Sequence, residues 1–103
     1  MNTYQKKQVT VVIDMAFLRR FLDLLDQFDI SGYTAVPAIA GAGESGSWRK
    51  DKLPTEAGSM GVVYLVIDDN KLDELLEEIS PIIEDKIGII VINEVTVLRG
   101  DRF

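Results

Sequence analysis

A glycine-rich stretch, Gly41–Gly46 (GAGESG), is the part of the sequence best suited to bind a ligand through its backbone. Glycines at the end of a strand allow positive φ angles and a close approach, because no Cβ stands in the way. Successive backbone N–H groups there can form a concavity for phosphate oxygens. The stretch satisfies G-x-G-x-x-G, but a dinucleotide site also needs a helix that begins at the motif, in the first βα turn. We expect neither here, so the glycines predict a phosphate site of another kind or a hinge at the base of a loop.

Basic side chains near these glycines could attract an anion. Arg49, Lys50 and Lys52 follow the glycines in a chain whose formal net charge is −6. Arg99 and Arg102 flank a glycine near the C-terminus and could act as a guanidinium pair for phosphate or carboxylate. Charge runs are, however, commonly just solvated surface. Both interpretations stay open: an anion site, or a solvated loop and tail.

The residues between the glycines and the next apolar run predict a long loop. Residues 48–59 are polar, contain Pro54 and show no apolar periodicity. A loop of this length in a small domain is usually functional or disordered. Trp48 is unusual in such a segment, and it either anchors a partner or folds back onto the core.

Side chains suited to catalysis are scarce. The chain contains no histidine and no cysteine, which removes the commonest metal ligand, thiolate chemistry and the side chain that titrates nearest neutrality. Asp14, Asp68 and Asp69 could hold Mg²⁺ through oxygen. They stand, however, where strands pass into helices, and helix capping is the favoured interpretation. We predict no catalytic residue and no metal site.

Length and composition indicate one domain without a targeting or membrane segment. The chain has 103 residues, of which 47% are hydrophobic and 27% charged, as in ordinary globular proteins. The start, Met1–Lys7, is polar, and the apolar run after it is broken by Asp14, so no signal peptide is expected. No apolar run reaches about 18 residues, so nothing is expected to span a membrane. We expect a cytoplasmic protein, and its acidic balance argues against nucleic-acid binding.

The first half of the chain predicts a β-α-β unit. The β-branched stretch Gln8–Ile13 predicts a strand, and Asp14 follows as a helix N-cap. Apolar residues at spacings of three and four then predict a helix with one apolar stripe. The stripe consists of Phe17, Leu18, Phe21, Leu22, Leu24, Leu25 and Phe28. After a turn, Tyr33–Ala40 predicts a second strand that leads into the glycines.

The second half repeats this pattern. Gly61–Ile67 is nearly all apolar, which predicts a central strand covered on both faces. Asp69 or Asn70 caps a second helix, which Pro81 ends or bends. The apolar face of that helix consists of Leu72, Leu75, Leu76, Ile79 and Ile83.

The order of the elements predicts the fold class. Ile87–Ile92 predicts a fourth strand, and Val95–Leu98 a further extended piece. The resulting β-α-β, loop, β-α-β order is typical of the split βαβ arrangement, an α+β ferredoxin-like βαββαβ sandwich with a long loop between strands 2 and 3. Two helices on one face of the sheet leave the other face bare. Self-association is the simple way to cover it.

Several stretches, in this order and spacing, resemble the PII signalling family and its PII-like relatives. They are Lys6-Lys7 before a first strand that ends Ile13-Asp14, the run Ser31–Thr34 (SGYT), the pair Gly41 and Gly43, and the ending Glu94–Arg102 (EVTVLRGDR). No single motif is specific, but together they cover nearly the whole chain. The combination is similar to the PII-like branch rather than to nitrogen-regulatory PII itself.

The resemblance implies a homotrimer, residues 1–103 as a single PII-like domain, that senses a small molecule and is not an enzyme. Adenine nucleotides would bind between subunits, and a T-loop at about 43–60 would be read by a partner protein. The implied nucleotide-binding residues are Thr34, Gly41, Gly43, Ser45, Lys86, Gly88, Arg99 and Arg102, with Lys86 and Gly88 in a short B-loop. The implied partner-binding residues are Trp48, Arg49 and Lys50. Relatives in this branch are tied to bicarbonate uptake or to metal efflux, which suggests a transporter as the target.

One difference from the nitrogen-regulatory PII sequence, in the B-loop, favours some adenine nucleotides over others. Nitrogen-regulatory PII carries a glycine-rich Thr-Gly-x-x-Gly-Asp-Gly-Lys run in its B-loop, and here only Glu84–Gly88 (EDKIG) remains. Fewer backbone donors and two nearby acids favour AMP, ADP or cyclic AMP over ATP, with bicarbonate as a further candidate ligand. The alternative is a PII-like sensor of a metal or another small ion.

Overall fold

The computed structural model describes residues 1–30, 32–43, 46–48 and 59–99. Its elements are β1 (Thr3–Asp14), α1 (Met15–Gln27), β2 (Tyr33–Pro37), β3 (Gly41–Gly43), β4 (Gly46–Trp48), β5 (Met60–Ile67), α2 (Asp69–Lys86) and β6 (Ile87–Leu98). Four strands form one sheet in the order β2-β5-β1-β6, and every neighbouring pair is antiparallel. This is the predicted ferredoxin-like α+β arrangement, so the fold class is confirmed.

Both ends of α1 are set by local chemistry. The predicted N-cap is confirmed, because the Asp14 Oδ1 accepts a hydrogen bond from the Ala16 N–H at 2.9 Å. At the other end Asp29 has a left-handed φ of 61°. The Ile30 N–H then reaches the Leu25 carbonyl at 3.0 Å, while the Asp29 N–H reaches that of Asp26. This pattern of bonds around a left-handed residue is a Schellman motif, which satisfies the last carbonyls of the helix.

The core lies between the helices and one face of the sheet, which we call the helix face. Its members are the apolar residues that alternate along β1 and β5, the predicted stripe of α1, and Leu72, Leu75, Leu76 and Ile79 of the predicted stripe of α2; the side chain of Ile83 lies outside the described part of the structure. The fully buried ones are Val9, Val11, Ile13, Phe21, Leu25, Val63, Leu75 and Ile79. The alternation follows from the period of two along a strand, and the stripes follow from the 3.6-residue period of a helix.

The opposite face of the sheet, here called the outer face, is apolar and uncovered within the described part of one protomer. Two rows of aligned residues cross all four strands: Val36, Val62, Val12 and Ile89, and then Thr34, Tyr64, Thr10 and Val91. Large side chains in these rows are about half exposed, with 54% of Ile89 and 43% of Tyr64 accessible. β5 is therefore central, as predicted, but in one protomer it is covered on one face only.

Two strands are longer than predicted, because their ends are set by pairing with a neighbouring strand and not by their own composition. β1 begins at Thr3 instead of Gln8, because its polar start pairs with the end of β6 from Lys7↔Glu94 to Thr3↔Leu98. β6 is continuous from Ile87 to Leu98 for the same reason, so the predicted break is wrong.

Two proline positions also differ from the prediction. β2 ends at Pro37 and not at Ala40; proline has no N–H for a ladder, and the next N–H, of Ala38, bonds to the Met60 carbonyl at 2.9 Å. Pro81 is predicted to end or bend the second helix; it lies inside α2, which continues to Lys86, so it does not end the helix. Buried Ile79 and the half-buried Ile82 pack against the core on either side of it, and this packing holds the helix in spite of the missing hydrogen bond.

Candidate functional site

The glycines open a small hairpin at the end of β2. Gly41–Gly43 forms β3, which pairs with β4 in the register Gly41↔Trp48 and Gly43↔Gly46. The predicted strand that would run directly into a glycine turn is therefore replaced by a separate two-stranded unit. Trp48 is part of it through its backbone. Gly41 and Gly43 thus lie together beyond the Pro37 end of the sheet.

The return of the chain into the sheet is tied to the start of α1. The Ser59 carbonyl accepts a hydrogen bond from the Met15 N–H at 2.9 Å, and Ser59 is buried. The next residue, Met60, is the first of β5 and pairs with Asp14. A Cβ added at Gly61 would lie only 2.8 Å from the Met15 Sδ. This end of the sheet, which we call the loop end, is built from close backbone contacts.

Gly88 lies at the same loop end, on the opposite edge strand. Val12 pairs with Ile89 whereas Ile13 pairs with Ile87, so Gly88 is the extra residue of a β-bulge in β6. A Cβ there would lie 3.4 Å from the Met60 Cε, an ordinary contact. Lys86 is the last residue of α2, and β6 begins at the next residue. The expected short loop around Lys86 and Gly88 is therefore a direct junction between helix and strand.

Thr34 lies on the edge strand β2 in the second row of the outer face. It is exposed and faces Tyr64 across the ladder. β2 and β6 are the two edges of the sheet. Thr34 is therefore about 14 Å from Val91, its aligned residue on β6, across three strand spacings, and Gly88 lies a further three residues, about 10 Å, along β6. Thr34 could contact a ligand that lies over the outer face near the loop end.

Arg99 stands at the far end of the protomer from these residues. It follows the last residue of β6, is exposed, and has a left-handed φ of 59° that turns the chain off the strand. From Gly88, near the start of β6, the strand runs to its end at Leu98, and at about 3.3 Å per residue this separates Gly88 from Arg99 by about 36 Å. One protomer therefore does not bring these two predicted site residues together.

The far end, which we call the ribbon end, carries a group of polar contacts that sequence reasoning missed. The Lys7 Nζ lies 2.8 Å from the Glu94 Oε1 and 3.8 Å from the Asp69 Oδ1. Lys6 donates to the Asp68 carboxylate, and the Gln5 Nε2 donates to the Thr96 Oγ1 at 2.8 Å. The hydrogen bond to Glu94 raises the pKa of Lys7, and the same bond lowers the pKa of Glu94. These partners are far apart in sequence, so only the tertiary structure could have revealed them: the β1–β6 register for Glu94 and Thr96, and the position of the start of α2 for Asp68 and Asp69.

Other predicted residues fall outside the described ranges. Ser45, Arg49, Lys50 and Arg102 lie there, as do most residues of the expected T-loop. Within the ranges that the structure does describe, no cluster of acidic side chains is placed to hold a metal ion. No helix in those ranges is long and apolar enough to cross a membrane.

A family model described as nitrogen regulatory protein P-II matches residues 6–102. The chain therefore belongs to the P-II family, and the resemblance stated from its motifs is confirmed. A comparison with curated proteins gave no match.

Among solved structures, the fold is similar to PII-like proteins. CPII from Thiomonas intermedia, bound to ADP, AMP and bicarbonate, is 23% identical with a TM-score of 0.87, over 99% of this chain and 96% of that one. The apo form of CPII is 21% identical with a TM-score of 0.73, over 93% and 95%. A PII-like signalling protein from Thermus thermophilus is 18% identical with a TM-score of 0.80, over 100% and 99%. The ligands named here are those of CPII.

Proposed function

We propose that this chain is a non-enzymatic PII-like signal-transduction protein that works as a homotrimer in the cytoplasm. It binds an adenine nucleotide (AMP, ADP or cyclic AMP), with or without bicarbonate, in clefts between subunits. Nucleotide binding changes the T-loop, which regulates a transporter or an enzyme. Membership of the P-II family and the similarity of the fold to nucleotide-bound CPII support this proposal.

The proposal that the site lies between subunits rests on the distance between two of its predicted residues. Gly88 and Arg99 lie about 36 Å apart on one strand, a distance set by the rise per residue. A mononucleotide cannot reach from one to the other. If both residues contact the same ligand, they must come from different subunits.

The outer face of the sheet supports the trimer. Its two rows hold half-exposed apolar side chains such as Ile89, Val91 and Val36, and burying the exposed part of each is worth about 1 kcal/mol. An apolar surface of this kind usually marks an interaction site. In the proposed trimer the three outer faces pack around a threefold axis, and the loop end of one subunit meets the ribbon end of the next.

Each subunit would then contribute to two different sites. In this proposal one subunit supplies the loop-end residues Thr34, Gly41, Gly43, Ser45, Lys86 and Gly88. The neighbouring subunit supplies Arg99 and Arg102 from its C-terminal segment. Guanidinium groups suit phosphate oxygens because they donate in pairs.

The T-loop, about residues 43–60, is the proposed output, with Trp48, Arg49 and Lys50 as the residues that contact the target. The C-terminal end of this segment is fixed by two backbone bonds, from the Ala38 N–H to the Met60 carbonyl and from the Met15 N–H to the Ser59 carbonyl, each 2.9 Å long. A ligand can then shift the balance of loop states without moving the sheet, to the extent that it binds one state better than another.

Calorimetric titration of the purified protein with AMP, ADP, ATP and cyclic AMP, with and without bicarbonate, tests the ligand. We expect saturable binding of at least one mononucleotide, weakened about 10-fold or more by Arg99→Ala or Arg102→Ala, since a charge-assisted hydrogen bond is lost. Arg20→Ala, which changes an exposed arginine on α1, is the matched control. Binding of a divalent metal or bicarbonate alone, with no nucleotide bound, would replace this proposal with the ion-sensor alternative.

Mixed trimers test whether the site lies between subunits. Gly43→Val damages only the loop half of a site, and Arg99→Ala damages only the arginine half. If the halves come from different subunits, a 1:1 mixture refolded together regains about a quarter of the intact sites by random assortment in a closed ring. If each site lies within one subunit, the mixture regains none.

A further inference from the structure

The end of the sheet that leads to Arg99 is a two-stranded extension. β5 leaves the sheet after the pair Lys7↔Ile67, whereas β1 and β6 stay paired as far as Thr3↔Leu98. We call this extension, residues 3–6 with 95–98, the ribbon. A two-stranded ribbon is marginally stable alone in water, so its direction depends on what holds its base.

The base of the ribbon is held by Lys7. Lys7 is the last residue of β1 that has a neighbour on both sides, Ile67 on β5 and Glu94 on β6. Its ammonium group is 2.8 Å from the Glu94 carboxylate and 3.8 Å from that of Asp69, the first residue of α2. Lys7 thus joins the strand that carries the ribbon to the helix that packs on the sheet.

Further contacts make the ribbon one unit with this base. Lys6 donates to Asp68, which precedes α2, and the Lys6 side chain is only 10% exposed. Further out, the Gln5 amide donates to the Thr96 hydroxyl at 2.8 Å, which links the two strands. The ribbon is therefore attached at its base through two adjacent residues, Lys6 and Lys7.

We infer that Lys7, together with Glu94 and Asp69, is a positioning residue that aims Arg99 at the nucleotide site of the neighbouring subunit. This inference rests on the proposed function, because it concerns the same site. From Glu94 to Arg99 the strand covers about 17 Å, so a rotation of about 10° at the base moves the tip by about 3 Å. Such a shift is enough to break a hydrogen bond, whose length varies by only about 0.5 Å.

The exposure of the Glu94 and Asp69 side chains indicates that the ion pairs of Lys7 affect the direction of the ribbon more than the stability of the domain. The Glu94 and Asp69 side chains are 82% and 81% exposed, and exposed ion pairs contribute little to stability because water and salt screen them. Removing the pair should leave the domain folded while the direction of the ribbon becomes less well defined. Nucleotide affinity is then the quantity that changes.

The test compares ADP affinity among variants at the ribbon base. Lys7→Gln and Glu94→Gln should each weaken ADP binding about 2- to 5-fold, the range expected when one surface ion pair is lost. The charge-swapped double variant, Lys7→Glu with Glu94→Lys, should recover most of that loss. Arg20→Gln and Glu78→Gln remove exposed charges from the helices and should have no effect. Sedimentation and urea unfolding should show the same trimer and the same midpoint for all variants.

A double-mutant cycle with Arg99→Ala separates this inference from the function on which it rests. If Lys7 acts through Arg99, Lys7→Gln should cause no further loss of affinity once Arg99 is alanine. An equal loss in both backgrounds, or no loss in either, would overturn the inference while Arg99→Ala still weakens binding. Absence of ADP binding to the unaltered protein, with AMP and cyclic AMP also unbound, would instead overturn the proposed function and this inference with it.

Discussion

The two ends of the sheet are held by different kinds of interaction. At the loop end, backbone hydrogen bonds join Ser59 to Met15 and Ala38 to Met60, and the Met15 side chain lies close to the buried Gly61. At the ribbon end, the contacts are side-chain ion pairs whose acids are mostly exposed. Buried backbone contacts resist change, whereas exposed charges respond to salt and pH. The comparison predicts that substitutions in the core and the close contacts of the loop end affect folding, whereas substitutions of the ion pairs at the ribbon end affect binding.

The largest effect on stability should come from the core beside the loop end. Ile13 is fully buried and pairs with Gly61, so Ile13→Ala should lower the free energy of unfolding by about 2–5 kcal/mol. Ile39→Ala, at a position 70% exposed, is the matched control and should change it by less than about 0.5 kcal/mol. Urea unfolding followed by circular dichroism measures both. Equal effects would mean that the loop end is not built on the core.

The close contact between β5 and α1 can be tested by placing a side chain at Gly61. A Cβ at Gly61 would lie 2.8 Å from the Met15 Sδ, so Gly61→Val should destabilise the protein by about 1–3 kcal/mol through overpacking. Combining it with Met15→Ala should restore part of that loss. Gly88→Ala has room, with 3.4 Å to the Met60 Cε, and should unfold at nearly the same urea concentration as the unaltered chain. No recovery in the double variant would show that Met15 is not the obstacle.

Removing the cap of α1 should have a smaller effect. Asp14→Ala leaves the Ala16 N–H without its 2.9 Å bond and should cost about 1 kcal/mol of stability. Asp14→Asn keeps a capping oxygen and should behave nearly like the unaltered protein. Asp23→Ala, in the exposed middle of the helix, controls for loss of charge. A loss with Asp14→Asn as large as with alanine would indicate that charge, and not capping, matters there.

The other end of α1 offers a change of the opposite sign. Asp29 has a φ of 61°, which costs a residue with a side chain about 1–2 kcal/mol, although less for Asp. Asp29→Gly should therefore raise the stability, by about 0.5–1 kcal/mol after the entropy of glycine is counted. Asp26→Gly, inside the helix, should lower it. A destabilised Asp29→Gly variant would mean that the aspartate side chain makes a contact that outweighs the strain.

The smallest effect is the response of the ribbon to pH. Lys7 holds the pKa of Glu94 below its ordinary 4.5, so their pairing is fully present above that value and is lost as the pH falls through the lowered pKa. Conversely, the raised pKa of Lys7 means that the pairing persists below 10.5 and is lost only as the pH rises beyond it. Amide hydrogen exchange should show ribbon protection that decreases on acidification, and Glu94→Gln should lack this dependence. Protection at β5 should not follow the same titration.

Local patterns in the sequence predict much of this structure. The stripe from Phe17 to Phe28 and the cap at Asp14 place α1 correctly, since helical period and capping depend on neighbours within a few residues. The order of the elements is enough to predict the ferredoxin-like fold class, and the motifs from Ser31 to Arg102 are enough to indicate the family. For the candidate site, the sequence names Gly41, Gly88 and Arg99 but not their spatial relation.

What only the tertiary structure decided depends on pairing between distant strands. Polar Thr3–Lys7 has no strand periodicity of its own, and it is a strand because β6 lies beside it. The same pairing makes β6 continuous through Asn93 and Glu94, and so separates Gly88 from Arg99 along one strand. It also brings Lys7 to Glu94 across 87 positions of sequence. Composition and spacing carry local preferences, whereas strand register is set by contacts between parts of the chain that only folding brings together.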